Sequence, residues 1–247
     1  MKIVFLGTNG WFDTPTGNTS CVLIDGGSFC VVLDAGSGFS KLDRYLQPDK
    51  PVFLFLSHFH LDHIVGLHTL VKFSFDRGLR VFGPKGSIDV LNTILNHPFS
   101  IPLRHLPFRF EISELPINDP EFPFDVQWFE LVHTPLSMGY RFHMEGKVIA
   151  YCPDTGYCES ALRLAENADI LISECSFKSG ESLRNWPHLN PKEASTIAKQ
   201  ANVGRLVLTH FDPSRYLTLD DRKAAATEAK KIFKNSIASE DGMVIEI

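Results

Sequence analysis

Four titratable side chains are crowded into one short segment of the sequence. His58, His60, Asp62 and His63 fill four of six consecutive positions, directly after the apolar run 52–56. Each imidazole or carboxylate loses hydration on burial, so an ordinary core would need a separate partner for every one of them. A single divalent cation can serve as the partner of several such groups. The segment therefore predicts a metal site at the end of a strand that is buried on both faces.

Three more candidate ligands follow predicted strands elsewhere in the chain. His133, Asp154 and His210 each come within two residues of the end of an apolar run. The carboxyl ends of strands gather along one edge of an α/β sheet, so residues distant in sequence can meet there. Any one of the three taken alone is more easily explained as a core residue, and only their shared placement favours coordination. With the first segment they supply five imidazoles and two carboxylates, more than the four ligands of a closed zinc site. Two metal ions are therefore expected.

The elements that must position these residues alternate along the chain as short apolar runs, turns and helical stretches. We expect one α/β domain over residues 1–247. The expected strands are residues 2–6, 20–25, 29–34, 52–56, 126–132, 139–144, 147–152, 169–173 and 204–209. One helix is expected to begin near residue 63, and three more are expected over residues 158–167, 190–202 and 218–234. Asn190, Pro191 and Glu193 have the types and spacing of a helix start. The Pro- and Phe-rich residues 97–125 are expected to hold strands joined by irregular loops.

The composition is typical of a globular protein, with 44% apolar and 21% charged residues. No apolar run approaches the length of a membrane span and the first residues do not resemble a leader, so no membrane association and a cytoplasmic location are expected. The net charge of −5 gives no general attraction to nucleic acid, although the basic clusters 77–80 and 104–105 could meet phosphates. The five cysteines form no Cys-x-x-Cys pair, which favours buried thiols.

The spacing His58-x-His60-x-Asp62-His63 resembles the signature of the metallo-β-lactamase superfamily, and the resemblance extends over nearly the whole chain. It implies an αββα sandwich of two mixed β-sheets flanked by helices, with the metals at one sheet edge. The implied ligands of the first metal are His58, His60 and His133, those of the second are Asp62, His63 and His210, and Asp154 bridges the two. Asp34, in Leu33-Asp34-Ala35-Gly36, matches an aspartate that orients a ligand imidazole in this family.

Within the superfamily the sequence is most similar to ribonuclease Z and related phosphodiesterases. The similar segments are residues 6–8, 18–20, 133–135, 139–141, 168–174 and 209–216, together with His188. In ribonuclease Z two of these motifs supply a glutamate and a histidine that are coupled beside the metals. The resemblance thus implies that His188 is a proton donor and that Glu174 holds its ring. A surface histidine with no catalytic role is the alternative for His188.

The sequence departs from ribonuclease Z in two places. The common enzymes carry a long arm for the tRNA elbow between the positions of Asp154 and His188, but here only 33 residues lie between them. A predicted helix and a predicted strand lie within that length, so no room is expected for an arm. In addition, Ser37 stands where the family pattern has a glutamate.

The resemblance implies a hydrolase with two divalent metal ions, which are expected to be zinc, with manganese or iron as alternatives. The expected substrate is a small or nucleotide-type phosphodiester, RNA included, and a homodimer is left open. Asp62 would orient or deprotonate the attacking water and His188 would protonate the departing oxygen. The alternatives are a tRNA 3′-processing endonuclease, a thioester or amide hydrolase like glyoxalase II or the β-lactamases, and a silent metal-binding scaffold.

Overall fold

The computed structural model describes residues 1–117, 122–183 and 185–247. Their contacts group the chain into two compact units. The first comprises Met1–Gly7, Asn18–Pro123 and Gly242–Ile247, and the second comprises Thr8–Gly17 and Phe124–Asp241. Each unit contains one β-sheet and its own apolar core. The single domain over residues 1–247 stays a prediction.

The first unit is built on a seven-stranded mixed sheet with the order β13-β1-β2-β3-β4-β5-β6. Its strands are β1 (Lys2–Gly7), β2 (Cys21–Asp25), β3 (Cys30–Leu33), β4 (Val52–Phe55), β5 (Leu79–Gly83), β6 (Phe110–Glu114) and β13 (Val244–Glu246). Its helices are α1 (Leu61–Ile64) and α2 (Ser87–Ile94), with 3₁₀ segments at Ser37–Arg44, Val65–Lys72 and Leu103–His105. Strands β3 to β6 run parallel, so their carboxyl ends share one edge. The four residues of β4 are all buried, as the continuous apolar run predicts.

The second unit is built on a six-stranded mixed sheet with the order β12-β11-β10-β9-β8-β7. Its strands are β7 (Asp125–Leu131), β8 (Ser137–Met144), β9 (Lys147–Cys152), β10 (Ile170–Glu174), β11 (Arg205–Thr209) and β12 (Ser236–Ala238). Its helices are α3 (Glu159–Ala165), α4 (Pro191–Gln200) and α5 (Leu219–Lys230). Strands β9 to β12 run parallel. Strand β8 is antiparallel to both β7 and β9, so β7 ends at the same edge as β9.

The predicted elements are present, and all nine predicted strands lie within two residues of the observed ones. The predicted start of α4 is confirmed, because the Asn190 side chain accepts hydrogen bonds from the backbone of Lys192 and Glu193 in a capping box. The helix expected near residue 63 begins at Leu61 and continues as a 3₁₀ segment. The prediction for 218–234 ends too late, since α5 stops at Lys230. Region 97–125 contains β6 and the start of β7, and its residues 118–121 lie outside the described residues.

The sequence did not predict β5, α2, β12 and β13. Strands β12 and β13 have three residues each, too few for a periodic pattern. In β5 the charged Arg80 interrupts the apolar run, but its guanidinium lies over the rings of Phe53 and Phe82, 5.4 and 5.3 Å from their centroids. An apolar environment for such a side chain depends on tertiary contacts, which a local pattern does not contain.

The cysteines are free thiols, four of them buried and Cys158 half-buried, as the sequence predicts. Burial raises the pKa of the Cys30 thiol to about 12 and also raises the pKa of Cys152 and Cys175, which keeps these sulfurs protonated. Among the described residues there is no helix with both the length and the apolar character needed to cross a bilayer.

Candidate functional site

The crowded segment of the first unit, residues 57–63, begins at the carboxyl end of β4 and enters α1. His58 Nε2 lies 2.9 Å from His60 Nδ1, and the rings of His58 and His63 are 4.2 Å apart. His63 Nε2 lies 3.5 Å from a carboxylate oxygen of Asp62. His58 and His63 are fully buried, whereas His60 is half-buried. The structure therefore brings the four predicted ligands of this segment into one cluster.

Asp34 supports this cluster from the neighbouring strand end. It follows β3 in the left-handed region, with φ of +56°, and its side chain is buried. One carboxylate oxygen accepts the Ser57 backbone N–H at 2.7 Å, and the other lies 2.8 Å from His63 Nδ1. A carboxylate at Nδ1 holds the proton on that nitrogen, which leaves Nε2 of His63 available to a cation. This geometry supports the orienting role that the resemblance implies for Asp34.

Two glycines allow the segment to pack against the loop after β3. A Cβ atom at Gly36 would collide with the carbonyl oxygen of Asp62, and one at Gly66 would collide with the carbonyl oxygen of Gly36. The absence of side chains there lets the backbones approach closely. The position of Asp62 in the cluster therefore depends on backbone contacts as well as on strand β4.

The candidate ligands of the second unit lie at one edge of its sheet. His133 follows β7, Asp154 follows β9 and His210 follows β11, and these three strands end on the same side. One oxygen of Asp154 lies 3.0 Å from His210 Nε2, and the other lies 3.7 Å from His133 Nε2. Both carboxylate oxygens thus face imidazole nitrogens. The convergence at a strand edge that the sequence predicts is present within this unit.

His210 is oriented by two residues that the sequence analysis did not identify. Ser176 Oγ donates to the His210 carbonyl oxygen at 3.0 Å, and it lies 3.1 Å from His210 Nδ1. Because the Ser176 hydroxyl proton is donated to this carbonyl oxygen, Ser176 Oγ acts as an acceptor for the Nδ1–H group of His210. The Nε2 atom of His210 is then available to a metal. A Cβ atom at Gly10 would lie 2.5 Å from the His210 ring. Ser176 and Gly10 together define the tautomer and the position of this imidazole.

Ser176→Ala is expected to weaken binding of the metal by about 10- to 100-fold, because the imidazole loses the acceptor that holds its tautomer. Titration of metal-free protein with a fluorescent competitor chelator measures this affinity directly. Ser195→Ala is a matched control, since it removes another buried hydroxyl of the same unit, one that donates to the Pro191 carbonyl in α4. Equal metal affinity in wild type and Ser176→Ala would contradict the orienting role.

Glu174 and His188 form a buried pair in the second unit. His188 Nδ1 lies 2.6 Å from one oxygen of Glu174. The two oxygens of Glu174 also accept the backbone N–H groups of Thr155 and Ser176, each at 2.9 Å. The His188 ring lies 5.0 Å from the ring of His133, and ligand atoms of His188, Asp154 and His210 lie within 4.8 Å of one another. The pair is therefore held rigidly beside three candidate ligands.

Other residues of the similar segments have structural contacts. Tyr140 is fully buried, and Arg141 donates to the Leu164 carbonyl oxygen near the end of α3 at 2.7 Å. Ser176, Gly10 and Thr155 were missed because small and hydroxyl residues near strand ends occur in every fold. The one sequence signal for Ser176 is its position directly after the strand that ends in Glu174.

Comparison with known proteins places the chain in a family. Residues 30–211 match the family described as beta-lactamase superfamily domain. Ribonuclease Z of Archaeoglobus fulgidus is 27% identical over an alignment of 312 positions, which covers 100% of this chain and 97% of the relative. The metallo-beta-lactamase fold protein YhfI from Bacillus subtilis has a TM-score of 0.82 at 26% identity, over 99% of each chain. The short form of human tRNase Z has a TM-score of 0.77 at 24% identity, over 100% of this chain and 99% of that chain, a likeness of fold.

These findings confirm the predicted fold class and the similarity to ribonuclease Z. The two mixed sheets with their helices form the metallo-β-lactamase fold that the sequence predicts. The match to the family covers well over half of the chain. It includes all seven candidate ligands, from His58 to His210. The chain therefore belongs to the metallo-β-lactamase superfamily.

Proposed function

We propose that this protein is a metal-dependent hydrolase of phosphodiesters. The observation that carries the proposal is the buried Glu174–His188 pair, whose 2.6 Å contact holds an imidazole beside the candidate ligands His133 and His210. A phosphodiester releases an alkoxide, which benefits from a proton donor more than a thiolate does. Membership of the superfamily and the similarity to proteins named ribonuclease Z support the same class of substrate.

The side chains in both units fit divalent cations. The donor atoms are imidazole nitrogens and carboxylate oxygens, a set that suits zinc, manganese or iron. His63 and His210 each have a hydrogen-bond partner at Nδ1, as ligand imidazoles usually do. We propose two ions, zinc in the first instance, with the family's assignment of ligands. His58, His60 and His133 would hold one, Asp62, His63 and His210 the other, and Asp154 would bridge them.

When bound, such ions lower the pKa of water towards about 7 and neutralise negative charge on phosphate oxygens. The rest of the mechanism belongs to side chains of the protein. Asp62 accepts a hydrogen bond from the attacking water and orients it. His188 donates its Nε2 proton to the departing oxygen, while Glu174 holds the ring through Nδ1 and stabilises its protonated form.

We propose a small or nucleotide-type diester as the substrate. The alignment with the archaeal ribonuclease Z has 312 positions, 65 more than this chain has residues, so the relative contains segments that this chain lacks. Only 33 residues separate Asp154 from His188, and helix α3 and strand β10 lie among them, which supports a protein without an arm. RNA remains within the proposed class, with tRNA 3′-processing as the second candidate because of the ribonuclease Z relatives. The homodimer and the cytoplasmic location stay predictions.

A panel of substrates tests the proposal. Protein reconstituted with zinc, manganese or iron is expected to hydrolyse bis(p-nitrophenyl) phosphate and a nucleoside 2′,3′-cyclic phosphate, and to lose this activity when the metal is chelated. We expect slower turnover of a tRNA precursor and of the thioester S-lactoylglutathione. Faster thioester than diester hydrolysis with every metal would contradict the proposal. Absence of turnover on all four substrates would favour the silent scaffold.

A further inference from the structure

The second unit exposes an aromatic surface beside its candidate ligands. Trp11 is 63% exposed and the adjacent Phe12 is 45% exposed. The ring of the half-buried Trp186 lies 5.8 Å from that of Trp11, with an angle of 53° between the two ring planes. Large exposed aromatic side chains are costly in water and often mark a binding site. We call the pair of Trp11 and Trp186 the tryptophan platform.

The backbone at Trp11 has a strained conformation. Trp11 has φ of +63°, in the left-handed region that bulky residues rarely adopt. The Phe12 N–H donates to the Gly10 carbonyl oxygen at 2.8 Å, so Trp11 is the central residue of a three-residue turn. Such strain persists only where the surrounding structure imposes it, and it concentrates at functional sites. Here it occurs at an indole that is largely exposed.

Buried hydrogen bonds hold the loop that carries Trp11. The Asn9 side-chain amide donates to the carbonyl oxygens of Phe12 and Gly17, at 3.0 and 2.9 Å. The buried Arg222 guanidinium donates to the side chains of Thr8, Asn9 and Thr16, and it lies over the ring of Phe211. A loop fixed in this manner loses little conformational freedom when a ligand binds. The half of the platform that Trp11 supplies is therefore preorganised.

The platform lies next to the residues that the proposed reaction uses. The Trp186 ring is 5.7 Å from the ring of His133 and 5.8 Å from the ring of His188. If the phosphate of a nucleotide lay beside these histidines, the group joined to that phosphate through the sugar would lie near the two indoles. The platform offers flat apolar faces and no charge, so it suits the face of a nucleobase better than a second phosphate.

We propose that Trp11 and Trp186 stack on a nucleobase of the phosphodiester substrate, so that the protein prefers nucleotides to diesters without a base. This proposal rests on the proposed function and narrows its substrate class. Stacking on an indole tolerates all four bases because each has a π-face. Selection therefore acts on the presence of a base rather than on its identity.

The test compares two substrates that differ only in the base. They are adenosine 2′,3′-cyclic phosphate and the base-free methyl riboside 2′,3′-cyclic phosphate. In Trp186→Ala and Trp11→Ala the ratio of kcat/KM for the first substrate to that for the second should fall by about 10- to 100-fold. Trp186→Phe should restore most of the ratio, because a phenyl ring still stacks. Leu217→Ala, which removes an exposed apolar side chain of the same unit, should keep the wild-type ratio.

Calorimetric binding of adenosine monophosphate to the zinc-loaded variants gives a second measurement that needs no turnover. An unchanged ratio and unchanged binding in both alanine variants would overturn the platform and leave the phosphodiesterase proposal intact. If wild type hydrolysed neither substrate, the proposed function would fail, and weaker nucleotide binding by both variants would still support stacking. A dimer that Trp11→Ala converts to monomer, with the substrate ratio unchanged, would assign this surface to a second copy of the chain and overturn the proposal.

Discussion

His188→Ala is expected to lower kcat on a nucleoside cyclic phosphate by about 10²–10⁴-fold while the bound metal is retained. The imidazole is held by Glu174 at 2.6 Å and lies beside the rings of His133 and His210 without being one of the proposed ligands. Its loss removes a positioned proton donor and leaves the ligand set complete. Steady-state kinetics with metal analysis of the same preparation measures both quantities. A collapse in metal content would show that His188 is a ligand instead.

The dependence on the leaving group separates proton donation from a structural role. Bis(p-nitrophenyl) phosphate releases p-nitrophenolate, a stable anion that needs no proton, whereas a ribose oxygen leaves as an alkoxide. The defect of His188→Ala should therefore be much smaller on the nitrophenyl diester than on the cyclic phosphate. Equal defects on both substrates would indicate that His188 acts on binding or folding. His143→Ala changes an exposed histidine of the same unit and serves as the control.

Glu174→Gln should reproduce part of this defect. The glutamine keeps an acceptor for one of the two backbone N–H groups, from Thr155 and Ser176, that Glu174 binds. It loses the negative charge that stabilises a protonated His188. The variant thus distinguishes the charge of the pair from its geometry, and its leaving-group dependence should follow that of His188→Ala.

The candidate ligands could be identified from the sequence because their chemistry is unusual for a core. His58, His60, Asp62 and His63 cannot be explained by packing, and the strand before them has a continuous apolar pattern. Their meeting at a sheet edge could also be inferred, since His133, Asp154 and His210 each follow a predicted strand. For Glu174 and His188 the resemblance to a family implied that the two side chains are coupled. The hydrogen bond between them agrees with that expectation.

Two residues that orient a candidate ligand, Ser176 and Gly10, could not be inferred in this way. Ser176 bonds the ring and carbonyl of His210, which is 34 positions away, and Gly10 gives that ring its space. Serine and glycine are common in turns, so their types carry no signal until the chain is folded. Trp11 was missed for the opposite reason. A tryptophan in a sequence suggests burial, and only the structure shows that most of this one is exposed.

Asp154→Asn is expected to abolish turnover and to reduce the bound metal from two equivalents to one or fewer. Both oxygens of Asp154 face imidazole nitrogens, at 3.0 Å from His210 and 3.7 Å from His133, so its carboxylate is in contact with one proposed ligand of each metal. An amide supplies one weaker oxygen donor and no charge. The loss of metal affinity should therefore exceed the about 10- to 100-fold cost expected for an orienting residue such as Ser176.

Thermal unfolding gives a measurement of the same variant that is independent of activity. A ligand that binds the folded state raises stability by an amount that grows with the ratio of its concentration to its Kd. Added zinc should therefore raise the Tm of wild type and of Glu159→Gln, which removes an exposed carboxylate of the same unit, but should raise the Tm of Asp154→Asn much less. Equal zinc-induced shifts in all three proteins would mean that Asp154 does not bind the metals. The proposed ligand set would then be wrong at Asp154, the residue that would hold both ions, and the proposed mechanism would be contradicted.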